Sequence, residues 1–234
     1  MRISHLFILL AASAMLTACD FLDEYNPNSV TVGNYYTSEE DIVASLNGVY
    51  TSLTQSYVAD NYHYFTDVRA NATVVTNSGA NSGIPYQFYN YTLTEENVYV
   101  YNRYSQLYKI ISRANTLFAH LGDVSYATPS ARDTYEAEAR FLRALAYYWL
   151  VTEWGDVPLV LKALESAEEV RANNYRRPKA EVYQAIFDDL KYVTESPLAD
   201  VQPASACGKV SKSAGLRVLR LIIAHTAVSY THLR

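Results

Sequence analysis

Residues 138–160, EARFLRALAYYWLVTEWGDVPLV, constrain the fold more than any other stretch of the chain. Alanine and leucine favour a helix here, Glu136 and Arg140 stand on one helical face, and Gly155 followed by Pro158 predicts the helix end. Two apolar stripes recur at helical spacing, one with Ala139, Leu142, Ala146, Trp149 and Leu150 and the other with Phe141, Leu145 and Tyr148. Two stripes predict a helix that packs on two sides, so we interpret its tryptophans as packing residues.

Hydrophobic periodicity predicts three more helices around this one. The first opens at Ser38, a serine N-cap followed by acidic residues in the first turn. The second covers about residues 102–121, and the last runs from Pro178 to Pro197. Such helices in series predict an all-α fold, a tetratricopeptide-like helical repeat scaffold, with a plain helical bundle as the alternative.

A loop-rich insertion separates the first helix from the second. Ten of the 22 tyrosines fall between Tyr57 and Tyr108, interleaved with asparagines. Alternating aromatic residues from Tyr86 to Tyr91 predict a short strand here. A pyranose lays C–H bonds on an aromatic ring while its hydroxyls need hydrogen-bonding partners, and tyrosine supplies both with little rotamer entropy to lose. The insertion therefore favours a carbohydrate ligand, with Tyr86 and Tyr89 as candidate contacts.

The helix and turn at 138–160 resemble the signature of the SusD/RagB family of nutrient-binding outer-membrane lipoproteins. The resemblance extends more weakly to about Ser213 and implies a SusD-like N-terminal helical domain at 38–215 of a chain that is truncated relative to the family. It also implies a cell-surface protein that binds an oligosaccharide and delivers it to a SusC-like TonB-dependent transporter. A peptide ligand, or a purely structural helical-repeat adaptor, stays open as an alternative.

Three residues after the first helix carry a second part of the resemblance. Asp67, Arg69 and Asn71 match a family pattern of an acidic residue, an arginine and a polar residue, which implies that they contact the ligand. The alternative is that Asp67 and Arg69 form a structural ion pair that holds the loop.

The N-terminus predicts export and a lipid anchor. The apolar run at 6–15 is far shorter than the ~20 residues that a membrane-spanning helix needs, so we interpret 1–18 as a signal peptide. Cys19 follows Leu16-Thr17-Ala18, which resembles the bacterial lipobox and predicts acylation of Cys19; an ordinary cleaved signal is the alternative. The polar stretch 19–37 is then a tether that holds the protein at the outer membrane.

The C-terminal part gives two further expectations. A helix is predicted to begin between Gly208 and Ala214, but after Gly215 the family pattern is lost. The ending AVSYTHLR resembles translated adaptor or frameshifted DNA, so we treat 216–234 as unreliable. Cys207 has no histidine near it in sequence and is predicted to be a small buried residue.

Other functional classes have little support in the sequence. A net charge of −5 without a basic cluster argues against a nucleic-acid partner. The chain has no HExxH, GxSxG, phosphate-binding glycine loop or CxxC pair, and His63 and His120 lack metal-ligand spacing, so we predict no catalysis, metal or cofactor. A glycoside hydrolase needs only two carboxylates, and it stays the less favoured alternative. The candidates Asp156, Asp188 and Asp189 fit solvated or capping positions.

The lipobox interpretation predicts the outcome of one substitution. Cys19→Ser removes the acylated thiol, so the protein is expected to leave the membrane fraction while its thermal melting stays unchanged, because the tether contributes little packing. Carbonate washing of membranes followed by immunoblotting measures the partition. Retention of the Cys19→Ser protein on washed membranes would show that the anchor lies elsewhere.

Overall fold

Five helices of 15 to 24 residues carry the fold in the computed structural model, which describes residues 35–55, 58–59 and 61–232. The predicted signal peptide and Cys19 lie outside the described residues. The helices, with two short ones between them, are α1 Glu39–Leu53, α2 Tyr86–Tyr89, α3 Val98–His120, α4 Ala131–Trp154, α5 Ala167–Asn173, α6 Lys179–Glu195 and α7 Lys212–His232. The predicted all-α class is confirmed.

Local capping explains where the helices begin and end. Ser38 and Asp41 form a reciprocal capping box at the start of α1, as the serine N-cap predicted. Helix α3 begins four residues before the predicted position because the Asn97 side chain accepts from two backbone N–H groups of the first turn. Gly155, with φ of 73°, ends α4 where the sequence predicted. Asp156 then accepts a hydrogen bond of 2.8 Å from the backbone N–H of Lys179, at the start of α6.

The long helices pack as successive pairs. Helix α1 packs on α3 and also reaches α4, α3 packs on α4, α4 on α6, and α6 on α7. Each helix thus contacts its neighbours along the chain, and the first helix of one pair contacts the first helix of the next. This arrangement is that of a tetratricopeptide-like repeat, and it confirms the predicted scaffold.

One apolar core runs through all the pairs. Helix α4 lies at its centre, with its two stripes against α3 on one side and α6 on the other, as predicted. The fully buried side chains include Ile42 and Leu46 of α1, together with Leu107, Ile110, Ile111, Leu117, Leu142 and Leu150. Because each such side chain contributes roughly 1.5–3 kcal/mol when buried, the helix faces rather than helix propensity decide the fold.

A buried polar network crosses this core. The Arg143 guanidinium donates to both carboxylate oxygens of Asp189 at 2.8 and 2.7 Å and to the Asn115 amide oxygen at 2.7 Å. Arg140, on the next turn, also donates to Asp189 at 2.8 Å and keeps Glu136 as its predicted partner on the same face. Asn115 in turn donates to the carbonyls of residues 160 and 162. The network therefore joins α3, α4, α6 and the loop after α4.

Two two-residue strands follow α4. Strand β1 Val157–Pro158 pairs antiparallel with β2 Arg176–Arg177, with Val157 opposite Arg177. The Tyr147 hydroxyl donates to the Val160 carbonyl at 2.8 Å and accepts from the Val160 N–H at 2.7 Å, which fixes the chain as it leaves β1. Helix α5 lies between the two strands and buries none of its side chains fully.

The C-terminal region differs from one expectation. Helix α7 begins within the predicted interval and continues past Gly215 to His232. Cys207 is exposed, which shows that its predicted burial is wrong; it follows a short 3-10 turn and precedes Gly208, whose φ is 94°. Among the described helices, none is long and apolar enough to cross a membrane.

Gly215 marks a close approach between α7 and α6, and this generates a prediction. A Cβ at Gly215 would lie 2.7 Å from Val193 Cγ1, and Val193 is fully buried with a stiff β-branched side chain. Gly215→Ala is therefore expected to lower the melting temperature, because overpacking costs roughly 1–3 kcal/mol.

Gly48, in the middle of α1, supplies the matched control. An added Cβ there meets nothing within 4 Å, so Gly48→Ala is expected to raise the melting temperature by about 2–4 °C, as a gain of roughly 1 kcal/mol in helix propensity implies. Differential scanning calorimetry measures both variants. A rise for Gly215→Ala as large as that for Gly48→Ala would contradict the close packing of α7.

Candidate functional site

A buried arginine attaches the insertion, residues 54–97, to the helical scaffold. Arg103 of α3 is fully buried and donates to both carboxylate oxygens of Glu153 in α4 at 2.6 Å. Its guanidinium also lies over the rings of Tyr62 and Phe65 in the insertion, 5.1 and 4.8 Å from their centroids. One side chain thus pairs with the scaffold and stacks on the insertion.

The electrostatics of this pair follow from its burial. Burial raises the pKa of Glu153, and the hydrogen bond and charge of Arg103, with a smaller contribution from Arg69, act in the opposite direction. An unpaired charge at this depth would be costly, so each partner requires the other. The loss of either one would release the insertion from α4.

A small aromatic cluster forms the floor of the insertion. Phe65, Val68, Phe88 and Tyr99 are buried together, and the Phe65 and Phe88 rings meet edge to face with centroids 4.9 Å apart. Trp154, at the end of α4, also packs against both apolar clusters. Trp149 packs against the main one, so both tryptophans pack in apolar clusters as predicted.

The backbone of the insertion is strained. In the part of the chain that the structure describes, four non-glycine residues have positive φ, and all lie in the insertion: Asn71, Asn81, Ser82 and Tyr91. Asparagine adopts this conformation readily, but a tyrosine with φ of 58° is unusual. Strain of this kind costs about 1–3 kcal/mol per residue and tends to persist at functional sites.

Tyr91 is held in its strained conformation by one hydrogen bond. Its hydroxyl donates to the Arg69 carbonyl at 2.7 Å, while the residue as a whole stays 61% exposed. The hydroxyl end of the ring is therefore fixed although most of the residue faces solvent. A fixed, open ring is suited to stacking against a ligand.

The predicted contacts Asp67, Arg69 and Asn71 lie together in the loop that follows helix α1, and all three are exposed. Asp67 lies in a single π-helical turn, Tyr64–Val68, and its backbone carbonyl accepts from the N–H groups of residues 72 and 73. Within the described residues no ion pair joins Asp67 to Arg69, so the alternative structural pair is not observed.

Tyr86 and Tyr89 are the first and last residues of helix α2, which belongs to the insertion. They are half-buried, and their rings contact each other with centroids 5.6 Å apart. Helix α2, which carries both, packs against the π-helical turn. Among the described residues no hydrogen bond or ring contact joins Tyr86 or Tyr89 to the side chain of Asp67 or Asn71.

The strand predicted between Tyr86 and Tyr91 is wrong. The chain forms the single helical turn α2, closed by a bond of 3.1 Å from the Asn90 N–H to the Tyr86 carbonyl. Pro85 at its N-cap favours a helical turn. The alternating aromatic residues do not reflect alternating burial, because Phe88 is the one buried residue among the four of this turn.

Two cavities open in the insertion. The first, of ≈ 160 Å³, lies between the insertion and the end of α4. It is lined by Arg69 together with Phe65, Phe88, Leu93, Thr94, Val100, Glu153 and Trp154. The second, of ≈ 270 Å³, is lined by the turn around His63 and Tyr64 and by residues 73–77. Arg69 is thus the predicted contact that the structure places at a cavity.

A third cavity, of ≈ 260 Å³, lies on the scaffold and is mainly apolar. It runs along Tyr104 and Tyr108 of α3, with Lys162 and Asn173 on its opposite side. The Tyr108 hydroxyl donates to the Pro158 carbonyl at 2.7 Å, and its burial raises the pKa of this tyrosine. None of the predicted ligand contacts lines this cavity.

The carboxylates considered for hydrolysis have structural partners. Asp189 is buried in the network with Arg143, so its interpretation as a solvated or capping residue is wrong. Asp156 caps α6, and the exposed Asp188 accepts from Gln184 at 2.8 Å, as that interpretation expected. Among the described residues no group of three or more His, Cys, Asp or Glu side chains is arranged to hold a metal ion.

Sequence reasoning missed Arg103, Glu153 and the role of Tyr91. Arg103 and Glu153 lie 50 residues apart, so no local pattern pairs them. One signal for Arg103 existed: it is an arginine on the apolar face of α3, between Tyr99 and Leu107. A charge at such a position requires a buried partner.

The chain is similar in sequence to the proteins of one known family. Residues 20–220 match the SusD-like family described as starch-binding and associating with the outer membrane. SusD-like protein P2 of Formosa agariphila is 28% identical over 195 residues, which cover 83% of this chain and 37% of that protein. A SusD-like protein of Bacteroides ovatus is 26% identical over 207 residues, which cover 82% of this chain and 35% of the length of that protein.

Solved structures agree with this relationship. A laminarin binding SusD-like protein superposes with a TM-score of 0.67 at 27% identity, covering 79% of this chain and 39% of its own. A SusD homolog from Bacteroides thetaiotaomicron gives a TM-score of 0.65 at 26% identity, covering 80% of this chain and 36% of its own. The chain therefore spans well under half the length of these relatives.

The family match covers the signature helix, the insertion and the helix pairs alike. This chain belongs to the SusD-like family of outer-membrane-associated proteins.

Proposed function

We propose that this chain binds an oligosaccharide on the exposed surface of its insertion and is anchored through Cys19 at the cell surface, where it passes the ligand to a SusC-like TonB-dependent transporter. The observation that carries the binding proposal is Tyr91, an exposed ring held in strained backbone beside Arg69. The likeness to a laminarin binding protein supports a glycan ligand. The transporter and the delivery step rest on the family resemblance.

The geometry of the insertion fits a sugar. Tyr91 offers an exposed aromatic ring, and its hydroxyl contacts the Arg69 carbonyl, so that the Arg69 guanidinium and the Asn71 amide of the same loop can supply hydrogen bonds. The ring pair Tyr86–Tyr89 provides a second aromatic surface on α2. Arg103 stacks on Tyr62 and Phe65 of the same insertion, which orders it before a ligand arrives and leaves less conformational entropy to be lost.

Binding rather than catalysis is the proposed role. The buried Asp189 and Glu153 are each paired with an arginine and are therefore not available as a general acid or nucleophile.

Tyr91→Gly tests whether Tyr91 contributes to glycan binding without being needed for the stability of the fold. Glycine adopts positive φ without strain, which offsets the loss of one hydrogen bond worth about 1 kcal/mol, so the melting temperature is expected to stay near that of the wild type. Loss of the stacking face is expected to weaken glycan binding roughly 2- to 10-fold. Affinity electrophoresis through gels that contain starch, laminarin, pectin or another polysaccharide measures retardation.

Tyr175→Ala is the matched control, because Tyr175 is also an exposed tyrosine, at 53%, but lies in the loop after α5. Its removal is expected to leave retardation unchanged, whereas Tyr86→Ala and Tyr89→Ala are expected to weaken it in at least one case. If the wild-type chain is not retarded by any polysaccharide, the proposal of glycan binding fails. Equal retardation of Tyr91→Gly and wild type would move the site away from Tyr91.

A further inference from the structure

We infer that the cavity beside Arg69 binds an acidic group, so that the glycan bound by this chain carries a carboxylate, as a uronic acid does. The inference rests on the proposed function, because it names the class of glycan that the insertion takes. Two charged residues, Arg69 and Glu153, line this cavity, and Glu153 is paired with the buried Arg103.

The charges around the cavity do not cancel. Both carboxylate oxygens of Glu153 are taken by Arg103 at 2.6 Å, so that pair is internally neutral. Arg69 makes no ion pair within the described residues, and its charge opposes the rise that burial causes in the pKa of Glu153. One positive charge is left in excess among the residues that line the cavity.

Nearby acidic residues do not neutralise it. Glu95 and Glu96 follow Thr94 in sequence and Asp67 precedes Arg69, but all three are exposed and none lines the cavity. The remaining walls are aromatic or aliphatic, apart from the Thr94 hydroxyl. Apolar walls reduce the screening by water, so the attraction of Arg69 for an anion is stronger here than on an open surface.

Size and geometry limit the ligand group. The cavity of ≈ 160 Å³ would hold about five waters at ~30 Å³ each, which is room for a carboxylate and part of one ring but not for a chain of sugars. A guanidinium binds a carboxylate through two parallel N–H donors. Tyr91 donates to the Arg69 carbonyl. This hydrogen bond holds the Tyr91 ring, which would stack on the sugar, next to the residue whose guanidinium would bind the sugar's carboxylate.

The test compares two sugars that differ in one group. Galacturonate and galactose share a ring, but galacturonate has a carboxylate at C6 where galactose has a hydroxymethyl group. Isothermal titration calorimetry of the whole chain with each monosaccharide is expected to give at least tenfold tighter binding of galacturonate, as a charge-assisted bidentate contact implies. Arg69→Gln is expected to abolish this preference, and Arg69→Lys to retain part of it.

Arg171→Gln is the control, because Arg171 is another exposed arginine, in the last turn of α5, and its loss is expected to leave the preference intact. Trp154 lines the cavity, so its fluorescence should change with galacturonate and not with galactose. Equal binding of the two sugars, an unchanged preference in Arg69→Gln, or no binding of galacturonate would each overturn the inference.

The two proposals fail separately. Retardation of the chain by neutral polysaccharides, together with no preference for galacturonate, would leave glycan binding in place and remove the acidic ligand. Binding of galacturonate that depends on Arg69, without retardation by any polysaccharide, would support the cavity as an anion site and remove the oligosaccharide function.

Discussion

The ion pair between Arg143 and Asp189 is the interaction on which the helical scaffold depends. Both side chains are buried, in the middle of the helix pair with the most extensive packing, α4 on α6. Burial of two charges costs several kcal/mol per ion, and only full hydrogen bonding offsets this cost. Here two bonds to Asp189 and one to Asn115 occupy most of the guanidinium, and a fourth reaches the Leu161 carbonyl at 3.1 Å. The geometry is therefore satisfied in one arrangement of α3, α4 and α6.

A second buried and ion-paired arginine, Arg103, attaches the insertion to the scaffold. Arg103 pairs with Glu153 as Arg143 pairs with Asp189, and it stacks both on Tyr62 and Phe65 of the insertion and on Trp149 of α4. The Arg143–Asp189 pair thus fixes the helices of the scaffold, and the Arg103–Glu153 pair fixes the insertion. Because the insertion is attached to the scaffold in this way, it can carry strained backbone and exposed aromatic rings and still keep one conformation. Scaffold packing and the proposed ligand face are linked through α3 and α4.

The helices could be predicted from sequence because their signals are local. Ser38 with Asp41, Gly155 and the periodic apolar residues each act within a few positions. The buried network could not be predicted, because Arg143 and Asp189 are 46 residues apart and their meeting depends on the packing of α4 on α6. In the insertion, alternating aromatic residues predicted a strand at Tyr86 to Tyr91, but a strand needs a partner, and Pro85 begins a helical turn instead. The position of Arg69 at a cavity likewise depends on Glu153 and Trp154 from a distant helix.

A double-mutant cycle at the central pair measures how far the scaffold depends on it. Asp189→Leu leaves the buried Arg143 without its carboxylate and is expected to lower the free energy of unfolding in urea by ~3–5 kcal/mol. Arg143→Met leaves Asp189 with only its bond from Arg140, and it is expected to cost ~2–4 kcal/mol. The double variant is expected to recover most of the loss, with a coupling of at least ~2 kcal/mol between the two sites. Lys191→Met, at an ion pair whose side chains are 72% and 67% exposed, is the control and is expected to cost less than about 1 kcal/mol. Additive losses in the double variant, or single losses as small as that of Lys191→Met, would contradict the dependence of the scaffold on this pair.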